Sequence, residues 1–166
     1  SSYIPSLKEH HVFADTAYRK NKIAEEIRNI EASSNCKVHH DPELLDLVTN
    51  LVEHPTAVLG SFDEKYLSLP KELLITVMRT HQKYFSVEDQ EGRMKASFIV
   101  ISNMDDTVKD TVKKGAERVL RASLEDASFY YAEDRKRALR DYVDALKKVT
   151  FQEKLGSLYE KTERIS

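Results

Sequence analysis

The chain of 166 residues has one cysteine, no tryptophan, four glycines, four prolines and no long apolar run. The single thiol, Cys36, cannot close an internal disulfide, which excludes small stapled scaffolds and favours a reducing compartment. Scarce Gly and Pro favour a globular protein rich in helix over a disordered or all-β chain. No stretch approaches the roughly 20 apolar residues of a membrane helix, and no charged start followed by an apolar block marks a signal peptide. The chain therefore reads as soluble and cytoplasmic, with no membrane partner. It also lacks a dominant charge: 26 Lys+Arg stand against 28 Asp+Glu, a net charge of −2. That balance excludes neither RNA nor protein partners, because binding depends on where charge sits.

What is present is a globular composition, 40% hydrophobic and 33% charged, long enough to bury a core without staples. Charge is uneven. Residues 1–106 carry 12 basic and 17 acidic side chains, whereas residues 107–148 carry 11 basic and 8 acidic. A basic excess thus falls in one helical stretch. Ser1-Ser2 at the start and "YEKTERIS" at the end give the expectation of a piece excised from something larger.

Periodicity organises the rest. Asp15 is placed to cap a helix through about Ala32, with Ile23, Ile27 and Ile30 on one face. "SSNCKVHHD" is a connection holding at most a short strand. Asp41-Pro42 is cap and first residue of a second helix, with Leu44, Leu45, Val48, Leu51 and Val52 facing inward until His54-Pro55 stops it. "TAVLGSF" reads as a buried strand. Pro70 opens a helix whose face is Leu73, Leu74, Val77 and Met78. "KYFSVED", "QEGR" and "MKASFIVIS" form a hairpin around a Gly-containing turn. From Thr107 onward the spacing is helical, interrupted near Ala132–Asp134 and near Thr150. The predicted class is α+β: helices on one side of a small mixed or antiparallel sheet, with a helical C-terminal third. The predicted domains are an α/β module over 1–148 and the start of a following helical domain over 149–166.

Three constellations carry possible chemistry. His39, His40 and Asp41 contain the His-Asp dipeptide by which phosphohydrolases hold a divalent ion, although Asp41 as an ordinary helix cap accounts for it without metal. An independent HD-type phosphohydrolase is the rival reading that this motif supports. No nucleophile elbow or phosphate loop is present. Lys109, Lys113, Lys114, Arg118 and Arg121 recur at helical spacing while Val112, Val119, Leu120 and Leu124 face inward. This strip either grips phosphates or is a wet surface neutralised by Glu117, Glu125 and Asp126. Lastly, His81, Gln82 and Lys83 lie between a helix and a strand that opens with Tyr84 and Phe85. They read as helix-end punctuation, with His81 favoured at the C-terminus and Gln82 satisfying free carbonyls, or as a contact surface on which an exposed Tyr84 would stack a base.

Several blocks taken in order, "LVEHPTAVLGSFDEKYLSLPKELLITVMRTHQKYFSVEDQEGRM", "FIVISN", "GAERVLRASLEDASFYYAED" and "VTFQEKLGSLYEKTERI", resemble the middle portion of the beta subunit of bacterial glycyl-tRNA synthetase. Arg118, Arg121, His81, Gln82, Lys83 and Tyr84 match that pattern; His54, Ala116 and Ser123 depart from it, standing where Trp, Asn and Arg are usual. The resemblance implies an accessory segment of a two-subunit tetramer: a module similar to the B3/B4 domain of phenylalanyl-tRNA synthetase, leading into an HD-type domain whose own His-Asp dipeptide is not His40-Asp41. It also implies glycine tRNA and the alpha subunit as partners. ATP and Mg act on the alpha subunit, leaving no cofactor, metal or catalytic residue in this segment. Lys114, Arg118 and Arg121, with His81 to Tyr84, are its candidate tRNA contacts; a scaffold without RNA contact is the remaining alternative. Editing is not expected, since no proteinogenic amino acid is smaller than glycine and exclusion by size suffices.

Overall fold

The computed structural model describes residues 6–7 and 9–165. Ser1, Ser2 and Ser166 lie outside the described residues. Two compact units partition the chain, Ser1–Ser128 and Phe129–Ser166, and the division falls inside a helix. The boundary expected after Lys148 lies within the second unit.

In the first unit, Asp15 accepts hydrogen bonds from the N–H groups of Ala17 and Tyr18 and starts α1 (Thr16–Ser34), which ends on Asn35 in the left-handed region at φ 45°. Such a cap suits Asn, whose short polar side chain tolerates that conformation. Strand β1 (Lys37–Val38) follows, and Asp41 then caps α2 (Pro42–Leu51). Strand β2 (Thr56–Ser61), a 3₁₀ turn (Glu64–Ser68) and α3 (Lys71–Thr76) lead to a π-turn (Val77–Gln82). The hairpin is β3 (Phe85–Glu88) and β4 (Met94–Ser102); its turn needs Gly92 at φ 80° and is tied by Asp89, which accepts from the N–H groups of Glu91 and Arg93.

The sheet runs β1-β3-β4-β2, with every neighbour antiparallel. Register sets two faces. Phe85, Val87, Ile99, Ile101 and Ala57 share the side that buries Ile23 of α1 with Leu44 and Val48 of α2. Ser86, Phe98, Val58 and Gly60 alternate onto the other side and are buried too. There Tyr84 stacks on Phe98 at 4.9 Å, the 3₁₀ turn meets β4 and the π-turn meets β3. Helices on one side only was therefore the wrong expectation: both faces of the sheet are covered. Two inward assignments also change. Leu51 is 61% exposed and Val119 is 43% exposed, while Thr49 is buried on α2 with its hydroxyl donating to the Leu45 carbonyl.

Helix α4 (Lys109–Asp134) carries the buried residues Ala116, Leu120 and Leu124. In the second unit a 3₁₀ stretch (Leu139–Lys148) is followed by strands β5 (Thr150–Gln152) and β6 (Gly156–Ser157), paired antiparallel, and by α5 (Leu158–Ile165). The C-terminal third is thus not purely helical. Gly156 at φ 78° lets β6 turn into α5, and Ser157 and Glu160 cap that helix reciprocally.

Candidate nucleic-acid interface

The site is built where α3 fails to end as an ordinary helix. Its last turn widens to a π-turn, and Lys83 then adopts φ 59° with its N–H on the Met78 carbonyl. The Tyr84 N–H reaches the same carbonyl at 3.0 Å. One extra residue per turn keeps Met78 and Tyr84 inside while His81 stays exposed and Gln82 and Lys83 are half-exposed. The Lys83 ammonium donates to the Thr80 carbonyl at 2.7 Å, the role expected of Gln82. Gln82 instead points away, its amide 3.4 Å from the Ser123 hydroxyl on α4. Tyr84 is 8% exposed with its ring on Phe98, and burial pushes its phenol pKa up. The exposure that base stacking by Tyr84 would require is not present.

On α4 the five cations do not form one strip. At about 100° per residue, Lys109 and Lys113 fall on the line of Ala116, Leu120 and Leu124, whereas Lys114, Arg118 and Arg121 point away from it and are exposed. Lys109 pairs with Asp106 at 2.8 Å. Glu117 is occupied elsewhere, accepting from the Ser61 N–H at 2.9 Å and the Ser61 hydroxyl at 3.1 Å. The neutralisation expected from Glu117, Glu125 and Asp126 is absent among the described residues: Lys114, Arg118 and Arg121 enter no ion pair there. The Gln82–Ser123 bond joins the π-turn to α4 on the side of Ala116 and Leu120, roughly opposite Lys114, Arg118 and Arg121 around the helix, so the His81–Lys83 turn and those cations remain two separate groups.

The turn is held from its other side by Arg79, which sequence reasoning missed. Its guanidinium donates to Asp41 at 2.5 Å and to Glu43 at 2.8 Å, tying the π-turn to the start of α2. No local pattern announces a contact across 38 positions. Burial pushes the Asp41 carboxyl up, but the bonds from Arg79 and the Leu44 N–H outweigh it and hold the pKa below the usual value. Glu88 behaves alike: burial raises it, Lys71 and His39 pull it lower still.

Those bonds also locate the proposed metal dipeptide. Asp41 is committed to Leu44 and Arg79, His39 Nδ1 lies 2.8 Å from Glu88, and His40 is exposed. Among the described residues no three metal-ligating side chains converge. His39, His40 and Asp41 border a mainly apolar recess of about 350 Å³ floored by Ile27, Val38, Leu45 and Phe85.

The profile of the family described as "Glycyl-tRNA synthetase beta subunit" matches residues 1–166. Among similar curated proteins, the glycine–tRNA ligase beta subunit of Streptococcus suis strain 05ZYH33 is 49% identical over 163 residues, covering 98% of this chain and 24% of that protein. That of Streptococcus mutans is 49% identical over 160 residues, 96% of this chain and 24% of the relative. That of Pediococcus pentosaceus is 46% identical over 164 residues, 99% of this chain and 24% of the relative. The chain spans about a quarter of the length of these relatives.

Proposed function

The chain belongs to the glycyl-tRNA synthetase beta subunit family, and from that premise we propose that it is an accessory module of a glycine–tRNA ligase, supporting tRNA binding and subunit assembly without a reaction centre of its own. Its partners in this reading are glycine tRNA and the alpha subunit, in the cytoplasm, with ATP and Mg handled on the alpha subunit. The observation that carries the RNA part is the group of exposed cations on one side of α4, Lys114, Arg118 and Arg121, which enter no ion pair among the described residues; the turn of His81 and Lys83 is a second, separate group. Unpaired cations at fixed separation are what a phosphate backbone rewards, because each contact releases condensed counterions. Tyr84 supports the turn from below and does not touch RNA in this reading.

The test is titration of glycine tRNA at several salt concentrations. With about four phosphates contacted, log K should fall against log salt with a slope near −3 to −4. Replacing Arg118 and Arg121 together by Ala should flatten that slope by about 2 while leaving the melting temperature in place. A slope unchanged by the double substitution removes α4 from the interface; no salt-dependent binding at all makes the module a scaffold.

A further inference from the structure

The second unit has no buried residue among those described. The 139–148 stretch packs on α5, yet Leu139 is 87% exposed, Val143 40% and Ile165 74%, so much of the apolar surface of this small unit stays uncovered. Such a unit is below the size at which a core stabilises itself. The contradiction is sharpest over Leu139–Lys148. Leu139, Tyr142, Val143 and Leu146 recur at i, i+3, i+4 and i+7, which is the stripe of an α-helix. The backbone there is 3₁₀ for ten residues, although such runs seldom exceed about three or four. At three residues per turn those four side chains do not share a line. Arg140, Asp141, Asp144, Ala145, Lys147 and Lys148 occupy the remaining positions, with Lys147 and Asp144 paired at 2.7 Å.

We infer that Leu139–Lys148 is an amphipathic segment that winds into an α-helix when its Leu139, Tyr142, Val143 and Leu146 stripe docks on an apolar face elsewhere in a longer beta-subunit polypeptide. Family membership supplies the occupant: the curated relatives extend over about four times the length matched, so most of such a polypeptide lies outside this segment. The chemistry agrees. Three of the four stripe residues are aliphatic and offer nothing for a base to stack on, and the flanking charges are of both signs and largely paired within the segment, which favours protein over phosphate. The inference rests on family membership and not on the RNA contact proposed above.

Amide hydrogen exchange tests it, comparing the 166-residue chain with a full-length beta subunit that carries this segment. In the short chain, amides of residues 139–148 should exchange within about tenfold of the unprotected rate, whereas those of β3 and β4 are slow; in the full-length subunit the 139–148 amides should slow by at least about 100-fold. Leu139→Lys with Val143→Lys in the full-length subunit should return them to fast exchange and leave β3 and β4 slow. Equal exchange in both proteins overturns the inference. So does protection in the short chain that grows with its concentration, which assigns the stripe to a second copy, or protection that appears only on adding tRNA. Failure of the tRNA titration leaves all these outcomes readable.

Discussion

Gly60 shows how one residue limits the sheet. It stands opposite Phe98 in the β2–β4 register, and a Cβ there would lie 2.4 Å from Phe98 Cζ. Phe98 is fully buried under the Tyr84 ring and has nowhere to retreat. Gly60→Ala should therefore cost about 1–3 kcal/mol as overpacking, read as a lower urea midpoint with an unchanged slope. Asp41 and Glu88 make a second residue-scale prediction. Both have folded pKa values below their unfolded ones, so their contribution to stability is fully present above the unfolded value and is lost as pH falls through the folded one. Stability should hold down to about pH 5 and decline below about pH 4. Asp41→Asn keeps a capping side chain but loses the charge facing Arg79; its urea midpoint should vary less with pH over that window than the parent's.

At the scale of elements, the sheet edges are closed by glutamates reaching down from helices. Glu31 accepts from the Val38 N–H at 2.7 Å on the β1 edge, while Glu26 takes the Ala57 N–H at 2.5 Å and Glu117 the Ser61 N–H on the β2 edge. Edge donors left open invite pairing with another chain. Ala57 is buried, so Glu26→Ala should leave its N–H without a partner and destabilise by about 1–3 kcal/mol, most of it restored in Glu26→Gln, as thermal melts of the pair would show. The π-turn is the other element-level device. Arg79 on one side and Gln82 on the other hold a backbone that ordinary helix geometry would not produce. Gln82→Ala should leave the melting temperature nearly unchanged, since the bond is long and half-exposed, yet weaken tRNA binding if the turn and α4 must stay in register.

At the scale of the whole molecule, every buried apolar side chain among the described residues lies between Ile23 and Leu124, within the first unit. Limited trypsin treatment should accordingly cut first among Arg135, Lys136, Arg137 and Arg140, all exposed, and the larger product should keep the thermal transition of the first unit. Mass spectrometry with a melt of the product checks both parts.

The sequence by itself determined the elements whose causes are local. Asp15 and Asp41-Pro42 marked two helix starts, and "TAVLGSF" and "MKASFIVIS" marked strands, because a cap or an alternation is written in adjacent residues. The ordered blocks marked the family. Only the tertiary structure decided that Tyr84 is core, that Glu117 serves Ser61, that Gln82 meets Ser123, and that both faces of the sheet are covered. Each depends on partners dozens of positions away, and the free energy of such a contact is set by what else is buried around it, which no local pattern records.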